Sequence, residues 1–454
     1  ALALAMGQII IKNKLYDEKY IRLYVNGFEE YKSYILSLNI KDLSKECGVE
    51  IYTIEELVKL YCQKYSTILL GFGMQKYKNG GMTIRLIDAL GAITGQIGFS
   101  GGGVNYANKV YPKILNTDPY DSEKFSNNRY YYTNEISEFI EKCNLGNTYY
   151  KNDIFINHED DKGDYELNIP IKMAIITKSN LLNQLANINN LKRALSKVEF
   201  KVCFDMFITD TVKECDLFIP VTSQLESEDL LFSSMMNPYL VYNEKILEPQ
   251  EKLMDEYYFF MEVAKRLKMS NYPIVTKKEY LEKVIYPLKN ISSDISLEYL
   301  KNNYFTLHKD VAWSDKNFVN ESGKFEIINC EEIKKFEANK YKDISKLRLL
   351  TNHGRDSLSS QHFMDDDGIA IAYINEKEAK RSNINNNEII YLKSENGQIK
   401  VKINIDKSIG DNIIMMFVGW WERHGNPNFL TNSGISDIGG QITYNETFVE
   451  IIKR

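Results

Sequence analysis

Between residues 171 and 220 the chain repeats one pattern: "IKMAIIT", then "NQLANINNLKRALSK", then "FKVCFD", "TDTVKEC" and "DLFIP". Short apolar runs bounded by turn residues read as buried strands. Apolar residues three and four apart read as helices. A strand that is entered and left through a helix must lie parallel to its neighbour, and such a crossover is right-handed. The repeat therefore predicts a parallel sheet with helical cover. At 454 residues, 44% of them apolar, the chain has room for about two to four such domains.

The same rhythm stands earlier. "TIEELVKLYCQKY" predicts a helix, "STILL" a buried strand ending at Gly71, and "MTIRLIDALGAIT" a helix with Ile84, Ile87, Leu90 and Ile93 on one face, stopped at Gly95. Residues 105–165 are polar, aromatic and weakly periodic, as in a linker or an elaborated surface region. After Lys346 the style changes. "NEIIYLKSENGQIKVKINID" alternates with period two around Asn396-Gly397, which predicts a hairpin with Ile399, Val401, Ile403 and Ile405 on its inner face. A separate, mostly β domain is expected from about residue 345.

The first residues, "ALALAMGQIIIKNKLYDEKY", lack an initiator Met and a basic leader, so they do not read as a signal peptide. The simplest expectation is a chain that begins inside a longer protein, with the apolar face of residues 1–11 left without cover. The net charge of −6 argues against nucleic acid as a partner, and no apolar run is long enough to span a bilayer. Cys47, Cys62, Cys143, Cys203, Cys215 and Cys330 are scattered with no CxxC pair, unlike a zinc or iron–sulfur site. Cys203, in an apolar strand pattern, reads as a buried structural thiol.

Ligands of a parallel sheet bind at the carboxyl ends of its strands, and three loops qualify. In the first, the glycines of residues 71–73 either close a tight turn or bare the backbone, so that amides can face an anion at a helix N-terminus. In the second, Asp205 either accepts two hydrogen bonds from a guanine edge or ribose, or caps the following turn. In the third, Lys178, Ser179 and Asn180 bond a ligand or merely close a turn. His353 and His362 flank "GRDSLSSQ" but have no second ligand set, and no phosphate-binding GxxxxGK[ST] occurs. The residues alone describe an α/β protein that binds a nucleotide-like cofactor.

Four stretches, standing in order, make this more specific: "GFGMQKYKNGG", "IDALGAITGQIGFSGGGVNYAN", "VCFDMFITDTVKECDLFIPVTSQLESED", and "LLTNHGRDSLSSQHF" with "GWWERHGNPNFLT". Together they resemble the molybdopterin oxidoreductases of the dimethyl sulfoxide reductase family, over nearly the whole chain except near 110–165 and 270–340. The resemblance implies parallel-sheet α/β dinucleotide-binding domains followed by a C-terminal β-barrel-like domain of double-psi type. Residues 1–108 would end one molybdopterin-binding domain, 109–344 would form part of a second, and 345–454 the barrel.

It also implies a bis-molybdopterin guanine dinucleotide cofactor around one molybdenum or tungsten atom. Gly71, Phe72, Gly73 and Gln75 would meet the pterin and pyrophosphate. Asn180, Asp205 and Asp255 match further dinucleotide contacts. In the barrel Thr351, Asn352, Gly354, Arg355, Ser359 and Ser360 match a pterin-clamping loop, with Asn428, Trp420 and Asn445 beside it. The metal ligand and the iron–sulfur motif lie, in this family, upstream of these residues, and an iron–sulfur electron-transfer subunit is the expected partner. The implied activity is two-electron or oxygen-atom transfer on a small substrate. Alternatives are a formate dehydrogenase-like enzyme and a non-catalytic relic of the scaffold, as in the large iron–sulfur subunit of NADH dehydrogenases. Gapless matching places Asn108 where formate-oxidising members carry an arginine, with Lys109 next to it. That favours thiosulfate, polysulfide or another oxyanion over formate.

Overall fold

The computed structural model describes residues 1–63, 66–107, 110–121, 131–145, 149–150, 165–166, 170–232, 238–250, 253–307, 311–335, 346–355, 358–361 and 366–453. The chain divides into two compact units. One comprises Ala1–Asn108, Leu307–Lys342 and Ile435–Gln441, and the other Lys109–Thr306, Asp343–Gly434 and Ile442–Arg454.

In the first unit, helix α1 (Leu2–Lys12) is apolar on nearly every face, which suits a helix surrounded by others. Ala5, Met6, Ile9, Ile10 and Ile11 are buried against α2 (Phe28–Ser37), α3 (Ile40–Cys47), α4 (Ile51–Tyr61) and α5 (Gly80–Ile93). The expectation of an uncovered face at residues 1–11 is thus corrected. Ile327, Ile328 and Ile333 return to the same core from three hundred residues away, which no local pattern reveals. The buried Gln8 anchors α1, donating from Nε2 to the carbonyls of Ile35 (2.8 Å) and Leu38 (2.7 Å) at the end of α2. Those are carbonyls that a helix terminus leaves without intrahelical partners.

Strands β1 (Thr67–Leu69) and β2 (Gly103–Asn105) pair in parallel, with α5 between them in the chain. The buried residues of α5 include Met82, Leu86, Ala89, Leu90, Ala92 and Ile93, whereas Ile84 and Ile87 are only half-buried, so the stripe is rotated from the predicted one. Gly95, at φ +67°, follows the helix as expected.

Asp88 of α5 is a half-buried acid. Burial pushes its carboxyl up to about 6, opposed by the Arg85 guanidinium, with the Tyr61 phenol also beside it. An acid whose folded pKa lies above its unfolded one stabilises the fold only while protonated. That contribution is complete at low pH and is lost as pH climbs from the ordinary carboxyl range through about 6. Asp88→Asn should therefore raise the unfolding free energy at pH 8, read from urea titration, by at most about 3 kcal/mol. It should do nothing near pH 4. An equal effect at both pH values would show that the carboxylate is not the strained species.

In the second unit β3 (Met173–Thr177), β4 (Phe200–Asp205) and β5 (Leu217–Pro220) form the predicted parallel sheet, with β4 in the centre. Both faces of β4 are covered, as a parallel strand requires. Cys203 packs with Ile176 and Val212, while Val202 and Phe204 pack on the other side with Val221 and with Phe259 and Phe260 of α9 (Glu256–Arg266). The segment expected as one helix after β3 is two, α6 (Leu181–Gln184) and α7 (Ile188–Leu195). Asn187 breaks it by taking the left-handed conformation (φ 52°), and its side chain caps α7. Helix α8 (Asp210–Lys213) links β4 to β5.

The C-terminal strands are β6 (Leu347–Asn352), β7 (Ile371–Ile374), β8 (Ile389–Lys393), β9 (Gln398–Ile405), β10 (Ile413–Phe417) and β11 (Thr447–Ile452). They close a barrel in the order β6-β10-β7-β9-β8-β11. The hairpin predicted at Asn396-Gly397 is present, with Lys393 opposite Gln398, and Ile399, Val401 and Ile403 face the barrel core. Pairs β6–β10 and β7–β9 are parallel, so their carboxyl ends are sites where loops gather.

Candidate cofactor-binding site

Gly71, Phe72 and Gly73 leave the carboxyl end of β1 in the first unit. A Cβ built at Gly71 or Gly73 meets nothing within 4 Å, and neither residue has a positive φ. Neither packing nor backbone conformation explains these glycines; what they provide is bare main chain. Gly80 is the opposite case, since its Cβ would sit 2.6 Å from the Met74 carbonyl oxygen. Phe72, 45% exposed, lies against Tyr106 with ring centroids 4.7 Å apart. Gln75 donates from Nε2 to the Tyr106 hydroxyl (3.2 Å), while its Oε1 is buried without a partner.

The helix that these glycines enter is only the 3-10 turn Met74–Lys76, with Gly73 at its N-cap, and not an α-helix. Helix α5 starts only at Gly80, and its terminus is already held by a carboxylate of the chain. Asp437 accepts the Gly81 N–H on Oδ1 (2.9 Å) and the Met82 N–H on Oδ2 (2.9 Å). Asn108 and Lys109 lie outside the described residues, as does His362.

In the second unit Asn180 follows β3 and starts α6. It is 4% exposed, and its Oδ1 accepts from both the Thr211 hydroxyl (2.9 Å) and the Thr211 N–H (3.3 Å), which leaves Nδ2 buried without a partner. Asn183, one turn on, donates from Nδ2 to the Trp420 carbonyl (2.9 Å), and its own Oδ1 is buried without a partner. The Asn183 carbonyl accepts from Asn426 Nδ2 (3.0 Å) and Asn428 Nδ2 (2.8 Å). Tyr444, whose phenol burial pushes up to about 12, donates to the Gln184 carbonyl (3.0 Å). Beside it Asn445 keeps a buried Oδ1 without a partner. Thus Asn180, Trp420, Asn428 and Asn445 gather around the single turn of α6.

The loop after β6 carries the rest. Thr351 is buried at the strand end, and Asn352 is exposed, its carbonyl accepting from Val418 N–H (2.9 Å). Gly354 and the exposed Arg355 follow. Ser359 is left-handed (φ 52°), and the Ser360 carbonyl accepts from Trp421 Nε1 (2.9 Å). Asp205 ends β4 half-buried, its Oδ1 accepting the Met206 N–H (2.7 Å). Asp255 is placed differently: it caps α9 through the Tyr257 N–H (2.9 Å) and pairs with Lys277 (3.1 Å).

Sequence reasoning missed Thr211, Asn183, Asn426 and Trp421. The one available signal was the doubled asparagine of "NPN", since two amides around a proline suit carbonyls that need donors.

Residues 1–266 match the model of the molybdopterin oxidoreductases, and residues 348–448 that of the molydopterin dinucleotide-binding domain. The chain belongs to the molybdopterin oxidoreductase family. Among its relatives are the probable oxidoreductase YyaE of Bacillus subtilis, 28% identical over 96% of this chain and 65% of YyaE, and a trimethylamine-N-oxide reductase of Pasteurella multocida, 25% identical over 59% of this chain and 34% of that protein. Formate dehydrogenase H of Escherichia coli is 22% identical over 96% of this chain and 63% of its own length. The chain thus spans less than two thirds of each of these relatives. Acetylene hydratase from Pelobacter acetylenicus shares the fold, with a TM-score of 0.72 at 18% identity over all of this chain and 70% of that one.

These domains imply molybdopterin guanine dinucleotide with molybdenum as the cofactor, and the polar atoms left over fit it. A buried unpaired polar atom costs about 1–3 kcal/mol. Here three acceptors, on Gln75, Asn183 and Asn445, and one donor, on Asn180, are in that position. Acceptors call for N–H groups, which a pterin or guanine edge has and a phosphate lacks.

Proposed function

We propose that the chain belongs to the catalytic subunit of a molybdenum or tungsten enzyme that carries two molybdopterin guanine dinucleotides. Such an enzyme would transfer an electron pair or an oxygen atom on a small substrate and pass electrons to an iron–sulfur partner subunit. The observation that carries this reading is the set of buried, unpaired amide atoms around α6 in the second unit, together with the bare backbone at residues 71 and 73 in the first. Residues 71–73 and Gln75 would accept one face of the cofactor. Asn180, Asp205, Asn445, Trp420 and the loop of residues 351–360 would hold a dinucleotide by its heterocycles and phosphates. Asp255 would act through the start of α9, and Asn428 by fixing α6. When bound, the metal and its dithiolene ligands supply the redox chemistry. The protein's part is to orient the cofactor and keep water from its polar edges.

As substrate we propose a sulfur oxyanion or polysulfide. An asparagine at residue 108 offers hydrogen bonds but no charge, and so would hold a formate carboxylate less firmly than a guanidinium. Formate remains the second reading because formate dehydrogenases stand among the relatives. Metal analysis and pterin fluorescence on the intact protein test the first claim: no metal and no pterin would reject it. Assays with formate, thiosulfate, polysulfide and sulfoxides test the second. Formate turnover well above the others would reject the sulfur reading.

A further inference from the structure

Phe72, Gln75 and Tyr106 meet at one end of the small sheet of the first unit, and the sheet register brings them there. Strands β1 and β2 run in parallel with Leu69 opposite Asn105, and the Leu70 N–H donates to the Asn105 carbonyl at 2.8 Å. The two strands therefore end side by side, and the rings just beyond them, Phe72 and Tyr106, lie against each other. The end of β2 is itself tied down. Asn105 donates from Nδ2 to the Thr67 hydroxyl (2.7 Å) and the Gly102 carbonyl (3.2 Å). Tyr106 thus stands on a fixed strand end, 40% exposed.

Main-chain packing places the backbone of Gln75 but not its amide. A Cβ at Gly80 would lie 2.8 Å from the Gln75 Cα, so the start of α5 sits hard against that turn. The side chain rotates beyond it, and a primary amide can present either its oxygen or its nitrogen. Here the Tyr106 hydroxyl accepts from Nε2 at 3.2 Å. With the nitrogen taken, Oε1 is the atom left for a ligand, and it is buried without a partner. Burial, opposed by the bond from Gln75, raises the Tyr106 phenol from its ordinary value, so the hydroxyl keeps its proton at neutral pH.

We infer that Tyr106 is a positioning residue of the cofactor site: its hydroxyl holds the Gln75 amide with the oxygen turned toward a ligand N–H. Tyr106 acts through Gln75 and does not touch the cofactor. The inference rests on the cofactor reading given above. The edge it selects carries N–H groups, as a pterin or guanine edge does and a phosphate does not. Without the hydroxyl, Nε2 loses its acceptor. The amide can then turn and set its own N–H groups against those of the ligand, a clash of donors.

The test compares the intact, cofactor-loaded protein with Tyr106→Phe, Gln75→Ala and the double variant. The rate at which each loses pterin on dialysis is followed by fluorescence of the oxidised pterin. Tyr106→Phe keeps a ring against Phe72, so thermal unfolding of the cofactor-free protein should not change. Its pterin should leave about three- to tenfold faster, the value of one neutral hydrogen bond. In Gln75→Ala the amide is gone, and adding Tyr106→Phe should change nothing further. A double variant that loses pterin faster than Gln75→Ala by that same factor would mean that Tyr106 acts on the cofactor itself, which overturns the inference. So would a Tyr106→Phe protein that loses pterin no faster than the unsubstituted one. Unsubstituted protein without pterin would instead reject the cofactor reading, and the inference with it. Gln75→Glu decides the case even if Gln75→Ala holds no pterin. Its carboxylate needs a donor, which the Tyr106 hydroxyl can turn to supply, so Gln75→Glu should keep pterin longer alone than when combined with Tyr106→Phe. Equal loss from those two would overturn the inference.

Discussion

Gly73→Ala should leave the folded protein as stable as before and still cost it cofactor, whereas Gly80→Ala should unsettle the fold itself. At Gly73 the added methyl meets no atom of the chain within 4 Å. The backbone tolerates alanine there, and the lost chain entropy of the unfolded state even favours the variant by about 0.4–1 kcal/mol. If the dinucleotide lies against this backbone, the methyl takes its place. An overpacked contact costs about 1–3 kcal/mol, or roughly ten- to a hundredfold in retention. At Gly80 the methyl would stand 2.6 Å from the Met74 carbonyl oxygen and 2.8 Å from the Gln75 Cα, both main-chain atoms. Main chain cannot rotate aside, so the helix start or the turn bearing Gln75 must shift, at about 2–3 kcal/mol or more. Thermal unfolding of the cofactor-free protein and pterin content of the loaded protein separate the two effects. Equal pterin content in Gly73→Ala and the unsubstituted protein would remove residues 71–73 from the site.

What the sequence carried in local pattern, the structure kept. The alternation of residues 398–405 became a barrel strand, and the apolar runs at 171–177, 200–205 and 216–220 became a parallel sheet, because period and length are properties of neighbouring residues. What it hid depends on partners far along the chain. The cap on α5 comes from Asp437, 356 residues after Gly81, and no spacing rule could have joined them. The core that buries α1 is completed in part by residues 327–333. The break between α6 and α7 follows from one asparagine taking a conformation that other residues at that place would resist. The same limit applies to the site. Asp205 and Asn180 could be placed at strand ends from the apolar runs before them, but the atoms that make Asn180 a ligand candidate were set by Thr211, on the helix that follows the neighbouring strand.

Asn428 gives the largest expected loss of stability, and its polar side chain accounts for it. Helix α6 has four residues, too few to be stable alone. Its last carbonyls find no partner within the helix. Asn428 supplies them, donating from Nδ2 to Asn183 (2.8 Å) and Gln184 (3.3 Å), while its Oδ1 accepts from the Thr431 hydroxyl (3.0 Å) and its N–H donates to Asn426 Oδ1 (2.8 Å). All of this is buried; Asn428 is 2% exposed. Asn428→Ala would take from the Thr431 hydroxyl its nearer acceptor, leaving it the Asn428 carbonyl at 3.3 Å, and weaken the donor supply to both α6 carbonyls, although Asn426 and Tyr444 still reach one each. At about 0.5–1.5 kcal/mol for each of the three lost hydrogen bonds, the loss should be about 2–4 kcal/mol in cofactor-free protein. Asn428→Asp keeps the shape but replaces the donor by an oxygen facing carbonyl oxygens. It should be at least as damaging at pH 7, where the new carboxyl must either ionise while buried or take up a proton. Below about pH 4 the protonated form regains one O–H donor, and part of the loss should return. Urea unfolding of both variants across that range checks the argument. An Asn428→Asp protein as stable as the original at pH 7 would mean that α6 is held by packing alone.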